Sequence, residues 1–251
     1  IINSKNVHTI DDPILAVVNF ASFGVDASQK DIHDLLDGNI AFAIKLTGIA
    51  KEFNAKFVHT ATCYEYLDTK QNLEECDALS PDSLYGAFKA ASAIILKQVC
   101  KAEDLNCVIL RLFGVYGPNE SGEKLFPYLY RNLSSGNSVE LTSGDQVRDY
   151  TYITDVVKAY LLVCFNRNEY VEYNVCSSTP ITIKTFIEEF ARSNNYDSSL
   201  LCFGAKNIIE NRYMRVVGSN DRIREEYNWK PETSHREGLK LINNDFINRR
   251  I

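Results

Sequence analysis

The sequence predicts an α/β domain built on a parallel sheet with a smaller mixed lobe laid against it, and three observations predict it. Residues 14–20, 56–60 and 107–115 are short runs, apolar on both faces and rich in β-branched side chains, as buried parallel strands are. Residues 31–53 and 87–101 carry apolar side chains near helical spacing and supply the crossovers that parallel strands need. After Gly117-Pro118 the regular alternation gives way to shorter, mixed elements, the mark of a different architecture.

Taken in order, the first strand, 14–20, feeds a helix whose apolar residues are Ile32, Leu35, Leu36, Ile40, Ala43, Ile44, Leu46, Thr47 and Ile49. The second strand, 56–60, precedes a helix marked by Ala90, Ile94, Ile95, Leu96 and Val99. The third, 107–115, ends the sheet domain, expected over 1–118. The lobe, expected over 119–251 with some segments returning to the sheet, reads as helix 126–133, strand 138–142, helix 153–165, strand 173–176, helix 183–192, an Asn228-Trp229-Lys230-Pro231 segment and a last helix near 237–246. Only Asp11-Asp12-Pro13 separates a strand-like 6–10 from 14–20, whereas a crossover takes about a dozen residues. Residues are therefore expected to be missing there and before Ile1, which follows neither an initiator Met nor a leader-like stretch.

Composition narrows the function classes. The chain has 251 residues, 27 basic against 33 acidic, for a net charge of −6, with 45% apolar content, 12 glycines and 6 prolines. Those values exclude collagen-like, coiled-coil and disordered chains. The acidic excess argues against nucleic acid or an anionic membrane as partner, and the apolar runs fall short of the roughly 20 residues a bilayer requires. Cys63, Cys76, Cys100, Cys107, Cys164, Cys176 and Cys202 stand singly. They read as reduced cytosolic thiols placed as small core residues, with no metal site.

The sharpest motif is Ser83-Leu84-Tyr85-Gly86-Ala87-Phe88-Lys89. Tyr85 and Lys89 lie four apart at a helix start, so they share a face, and an ammonium held there is expected to lower the phenol's pKa toward usefulness as a general acid. Chance also yields Tyr and Lys at this spacing. Thr62, at the end of the second strand, offers a hydroxyl where the carboxyl edge of such a sheet faces a ligand crevice; a strand-end cap explains it equally.

The order of Val18-Asn19-Phe20-Ala21, Gly38-Asn39-Ile40, Thr62, Tyr85-x-x-x-Lys89, Arg111-Leu112-Phe113-Gly114-Val115-Tyr116-Gly117-Pro118 and Gly144-Asp145-x-x-Arg148-Asp149-Tyr150 resembles the extended short-chain dehydrogenase/reductases that act on nucleotide sugars. The resemblance runs from about Ile14 to Pro231 and implies a Rossmann-type doubly wound sheet binding NADP(H) or NAD(H). It implies that Thr62 and Tyr85 polarise a sugar oxygen and that Lys89 holds the nicotinamide ribose. Phe20, Ala21, Ser22, Asn39 and Phe113 would line the cofactor, while Lys124, Arg148 and Asn211 would contact the nucleotide sugar. An ion pair of Arg148 with Asp149 or Asp145 is the plainer alternative.

Within that family the 4,6-dehydratases carry an Asp-Glu pair after the threonine, and here Cys63 and Tyr64 stand there. Phe203-Gly204-Ala205, Met214, Trp229-Lys230-Pro231, Glu123-Lys124 and Ala21-Ser22-Phe23-Gly24 are similar to reductases that make CDP-paratose and CDP-abequose. The expectation is therefore a 4-keto-reductase of a nucleoside-diphosphate 6-deoxy or 3,6-dideoxy sugar. A 4-epimerase and a non-catalytic dinucleotide-binding or interaction protein stay open. Three departures bear on this: no G-x-x-G-x-x-G occurs anywhere, Gly114 stands where relatives have asparagine, and Ile209 where the dideoxyhexose reductases have arginine. The helices at 31–53 and 87–101 are apolar on more than one face, so a homodimer through a four-helix bundle is expected, unless this chain covers both faces itself.

Overall fold

The computed structural model describes residues 13–25, 29–67, 71–122, 124–168, 171–207 and 213–249. The strand expected at 6–10 lies outside them, as do Glu123, Ile209 and Asn211. In chain order the elements are β1 (Ala16–Asn19), α1 (Ile32–Leu36), a π turn (Asp37–Ala41), α2 (Phe42–Glu52), β2 (Lys56–Thr62), α3 (Leu84–Ala102), β3 (Cys107–Leu112), β4 (Gly114–Tyr116) and α4 (Leu125–Leu133). Then follow β5 (Val139–Leu141), β6 (Val147–Tyr152), α5 (Ile153–Phe165), β7 (Glu172–Val175), β8 (Pro180–Thr182), α6 (Ile183–Ser193), β9 (Leu201–Phe203), β10 (Arg215–Val216), α7 (Asp221–Tyr227) and α8 (His235–Arg249).

The parallel sheet runs β1-β2-β3-β7. Alternation along its strands sorts side chains to two cores. Phe57, Cys107 and Ile109 pack beneath Ala43, Ala50, Ala93 and Leu96 of α2 and α3. Val58, Val108 and Leu110 face Val156, Ala159, Tyr160 and Val163 of α5, together with Ile223 and the single tryptophan, Trp229. That indole is 3% exposed and donates to the Asp155 carbonyl at 3.1 Å. Burial on both faces is why these strands read as continuous apolar runs.

The run 107–115, expected as one strand, is two. β3 stays in the parallel sheet, whereas β4 pairs with β6 through Gly114 and Tyr150 in a second sheet ordered β10-β6-β4, with β8 antiparallel on β6. A Cβ at Gly114 would stand 2.7 Å from the Asp149 carbonyl, so this close crossing admits no larger residue without movement. The lobe core, with Phe126, Leu129, Phe186, Phe190, Leu239 and Phe246, joins α4, α6 and α8. All seven cysteines are free, and among the described residues no helix is long and apolar enough to cross a membrane.

Candidate active site

The site forms where β2 and β3 end and the chain passes between the two sheets. β2 terminates in a short 3₁₀ turn, Cys63–Glu65, in which Thr62 Oγ1 accepts the Tyr64 N–H at 3.4 Å and Glu65 accepts the Thr62 N–H at 3.1 Å. This reciprocal cap fixes Thr62 at the strand's carboxyl end. Ser83 caps α3 by accepting the Gly86 N–H at 3.1 Å, which sets Tyr85 and Lys89 one turn apart on the same face. Gly86 permits the approach, because a Cβ there would stand 2.3 Å from the Tyr64 carbonyl oxygen.

Tyr85 lines one cavity with Ser22 and Thr62, whose hydroxyls favour its ionised form. Lys89 is 1% exposed and donates to the Thr60 carbonyl at 2.6 Å. Together with Tyr64, Phe113, Glu120, Lys124 and Tyr150 these residues line a cavity of about 570 Å³. A hollow of about 390 Å³ adjoins it, sharing Lys124 and Leu125 and continuing to Leu141, Thr142 and Lys206.

The electrostatics correct one expectation. Burial raises the Tyr85 phenol above its ordinary value, opposed by the Ser22 and Thr62 hydrogen bonds, so lysine does not lower it here. Lys89 is itself pushed down to about 8 by desolvation and still carries its charge at neutral pH. Tyr85 therefore holds its proton at neutral pH. Burial also lifts Glu120 to about 7, against the pull of the Gly117 N–H and Lys124.

The anticipated residues fall into three groups. Thr62, Tyr85, Lys89, Ser22, Phe113 and Lys124 line the one cavity. Ala21 lines a neighbouring hollow of about 520 Å³ with Ser22 and Phe23, and Phe20, 64% exposed, lies against Tyr160 with ring centroids 4.9 Å apart. Asn39 and Arg148 stand back from the cavity. The Asn39 amide accepts from the Phe23 N–H and donates to the Phe23 and Leu35 carbonyls, holding a loop. Arg148 donates to the Val147 and Tyr213 carbonyls, each at 2.9 Å. Its sequence neighbour Asp149 instead accepts from Ser177, Ser178 and Gly218. Sequence reasoning passed over Glu120, two residues past the Gly117-Pro118 signal, and His59, whose place in an apolar strand marks it only as core.

The model of the NAD dependent epimerase/dehydratase family matches residues 2–176, and the chain belongs to that family. Its sequence is similar to CDP-abequose synthase of Salmonella typhimurium, 26% identical over 93% of this chain and 77% of that protein. It is also similar to dTDP-glucose 4,6-dehydratase of Escherichia coli, 25% identical over 76% of this chain but only 57% of the relative's length. The fold matches RMD from Pseudomonas aeruginosa complexed with NADPH, with a TM-score of 0.85 and 22% identity over 95% of this chain and 83% of that one. UDP-glucose 4-epimerase from Thermotoga maritima, solved with UDP-glucose, gives a TM-score of 0.84 and 21% identity over 94% and 78%.

Proposed function

We propose that this chain reduces the 4-keto group of a nucleoside-diphosphate 6-deoxy or 3,6-dideoxy sugar with NAD(P)H, Tyr85 acting as the general acid. The observation that carries this reading is that the Tyr85 phenol shares a cavity with the Thr62 hydroxyl, while Thr62 is followed by Cys63 and Tyr64 in place of an acidic pair. Ketone reduction needs a proton donor at the oxygen. The similarity to CDP-abequose synthase supports the same direction.

The residues present fit part of a nicotinamide dinucleotide. Lys89, with a single carbonyl acceptor at 2.6 Å among the described residues, has donors to spare for a ribose hydroxyl, and Ser22 and Phe113 line the same cavity. No glycine-rich turn in the sequence is available to hold the pyrophosphate, so no residue is assigned to it. When bound, the dinucleotide supplies the hydride. Thr62 and Tyr85 donate to the keto oxygen, Tyr85 gives its proton as that oxygen gains charge, and Ser22, in the same cavity, stabilises the resulting phenolate. Lys124 lines both adjoining hollows, where a diphosphate bridging sugar and base would lie; Asn211, from the family pattern, is the further proposed substrate contact, and Arg148 would reach the substrate only by giving up its carbonyl partners. We assign residues 1–118 mainly to dinucleotide and 119–251 mainly to substrate.

Incubation with a nucleoside-diphosphate 4-keto-6-deoxy sugar and NADPH or NADH, followed by nicotinamide absorbance, tests the reading. Stoichiometric loss of the reduced cofactor is expected. Tightly retained NAD without net consumption would establish the epimerase instead, and cofactor binding without turnover would establish a non-catalytic role. We further propose a homodimer through α1, α2 and α3, on which Ile32, Leu36, Phe42, Ile44, Leu84 and Ile94 are exposed.

A further inference from the structure

His59 is 0% exposed and lies on β2, three residues before Thr62, yet both its ring nitrogens are engaged. Nδ1 lies 3.1 Å from Asn19 Nδ2, and Nε2 lies 3.4 Å from Ser92 Oγ. The donors follow by elimination. Asn19 Oδ1 already accepts the Ala21 N–H at 3.0 Å, so its amide N–H₂ faces the imidazole and Nδ1 must accept. Nε2 then carries the hydrogen and donates to Ser92. Ser92 in turn donates to the Asn39 carbonyl at 2.7 Å, an oxygen in the π turn, where the ordinary helical ladder is interrupted. Asn39 closes the circuit through the Phe23 N–H and carbonyl. Burial, with Lys89 and Arg111 nearby, keeps the ring neutral, as this tautomer requires.

The chain of bonds joins the loop after β1 to β2, the π turn and α3. Ser22 sits in that loop between its two anchored neighbours, Ala21 and Phe23, and lines the same cavity as Tyr85, whose ring also lies 3.5 Å from where a Cβ on Gly24 of the loop would stand. We propose that His59, acting through Asn19 and Ser92, is a positioning residue that fixes this loop so that Ser22 stays within reach of Tyr85. The proposal rests on Tyr85 being the acid of the proposed reaction. Besides Ser22, the groups around the phenol are Thr62 at the end of β2 and Cys63, Tyr64 and Glu65 in the turn that follows, with Lys89 on its own helix.

The test is the proton affinity of Tyr85 itself, read from the phenolate absorbance titration of each protein minus that of its Tyr85→Phe counterpart. His59→Leu breaks both ends of the relay. His59→Asn keeps an acceptor for Asn19 and loses Ser92, and Ser92→Ala is a milder change should His59→Leu fail to fold. Displacement of the Ser22 hydroxyl, which favours the ionised phenol, removes stabilisation of the phenolate, so the titration is expected to move upward by on the order of half a unit, roughly threefold in proton affinity. The shift should be largest in His59→Leu and intermediate in His59→Asn and Ser92→Ala. Lowered melting temperatures with the Tyr85 titration unmoved in all three would overturn the proposal and leave His59 a packing residue. The titration requires neither cofactor nor turnover, so failure of the reductase reading would show separately, as wild-type protein inactive toward every keto-sugar.

Discussion

The Arg111 guanidinium donates through Nε to Glu65 at 2.8 Å, and the opposite oxygen of the same carboxylate takes the Thr62 N–H at 3.1 Å. Both charged groups are at most 1% exposed, and Arg111 also donates to Glu172 at 2.6 Å. Breaking a buried pair from one side strands the other charge. Arg111→Ala is expected to cost about 3–5 kcal/mol, measured by urea denaturation. A loss below about 1 kcal/mol, the scale of an exposed pair, would show that the carboxylates find other partners.

Tyr85→Phe removes the proton donor and little volume. Turnover on a 4-keto sugar is expected to fall by about 10²–10⁴-fold, with dinucleotide affinity within a factor of about three by calorimetry. Retention of a tenth of wild-type turnover would assign the proton to another group.

Lys89 has a folded-state pKa of about 8 against 10.5 for the ordinary side chain. Below about 8 both folded and unfolded chains carry the charge, and the fold bears the full cost of burying it. Between about 8 and 10.5 only the unfolded chain binds the proton, so stability from this group rises with pH. Lys89→Met is therefore expected to exceed wild type in stability by more at pH 7 than at pH 10, in paired denaturation curves. A difference independent of pH would mean that the ammonium is hydrated in the folded protein.

Gly86→Ala forces a Cβ against the Tyr64 carbonyl, 2.3 Å away. The expected outcome is a loss of about 1–3 kcal/mol, typical of overpacking, and a larger fractional fall in kcat than in cofactor affinity, because the first turn of α3 carries Tyr85. Unchanged kcat would show that this turn moves freely.

The proposed dimer rests on Leu36 and Ile94, 44% and 49% exposed on α1 and α3. Replacing both by lysine is expected to convert the protein to a monomer in sedimentation velocity. A wild-type monomer would sink that interface.

Much of the architecture was legible because period and burial agree. Helix 153–165 is found at those bounds, and the Tyr85/Lys89 spacing delivers both side chains to one cavity. Where sequence reading failed, the missing information was long-range. Nothing local marks Phe113 as the point where an apolar run leaves one sheet for another, since the break is imposed by pairing of Gly114 with Tyr150. The His59 to Ser92 bond spans 33 positions and His59 to Asn19 spans 40, so neither residue announces its partner. β8 and β10, of three and two residues, are too short to show a period. Asn39 and Arg148 were placed by family pattern alone, and the structure shows their polar atoms spent largely on backbone groups.

Trp229, the chain's one indole, is sealed between α5 and α7, on the face of the parallel sheet opposite α2 and α3. Its fluorescence is accordingly a single-site optical gauge of that junction. Native protein should emit in the blue, and the red shift on denaturation will time the opening of this seam alone, a signal that Tyr85, Lys89 and His59 variants can share as a common internal standard.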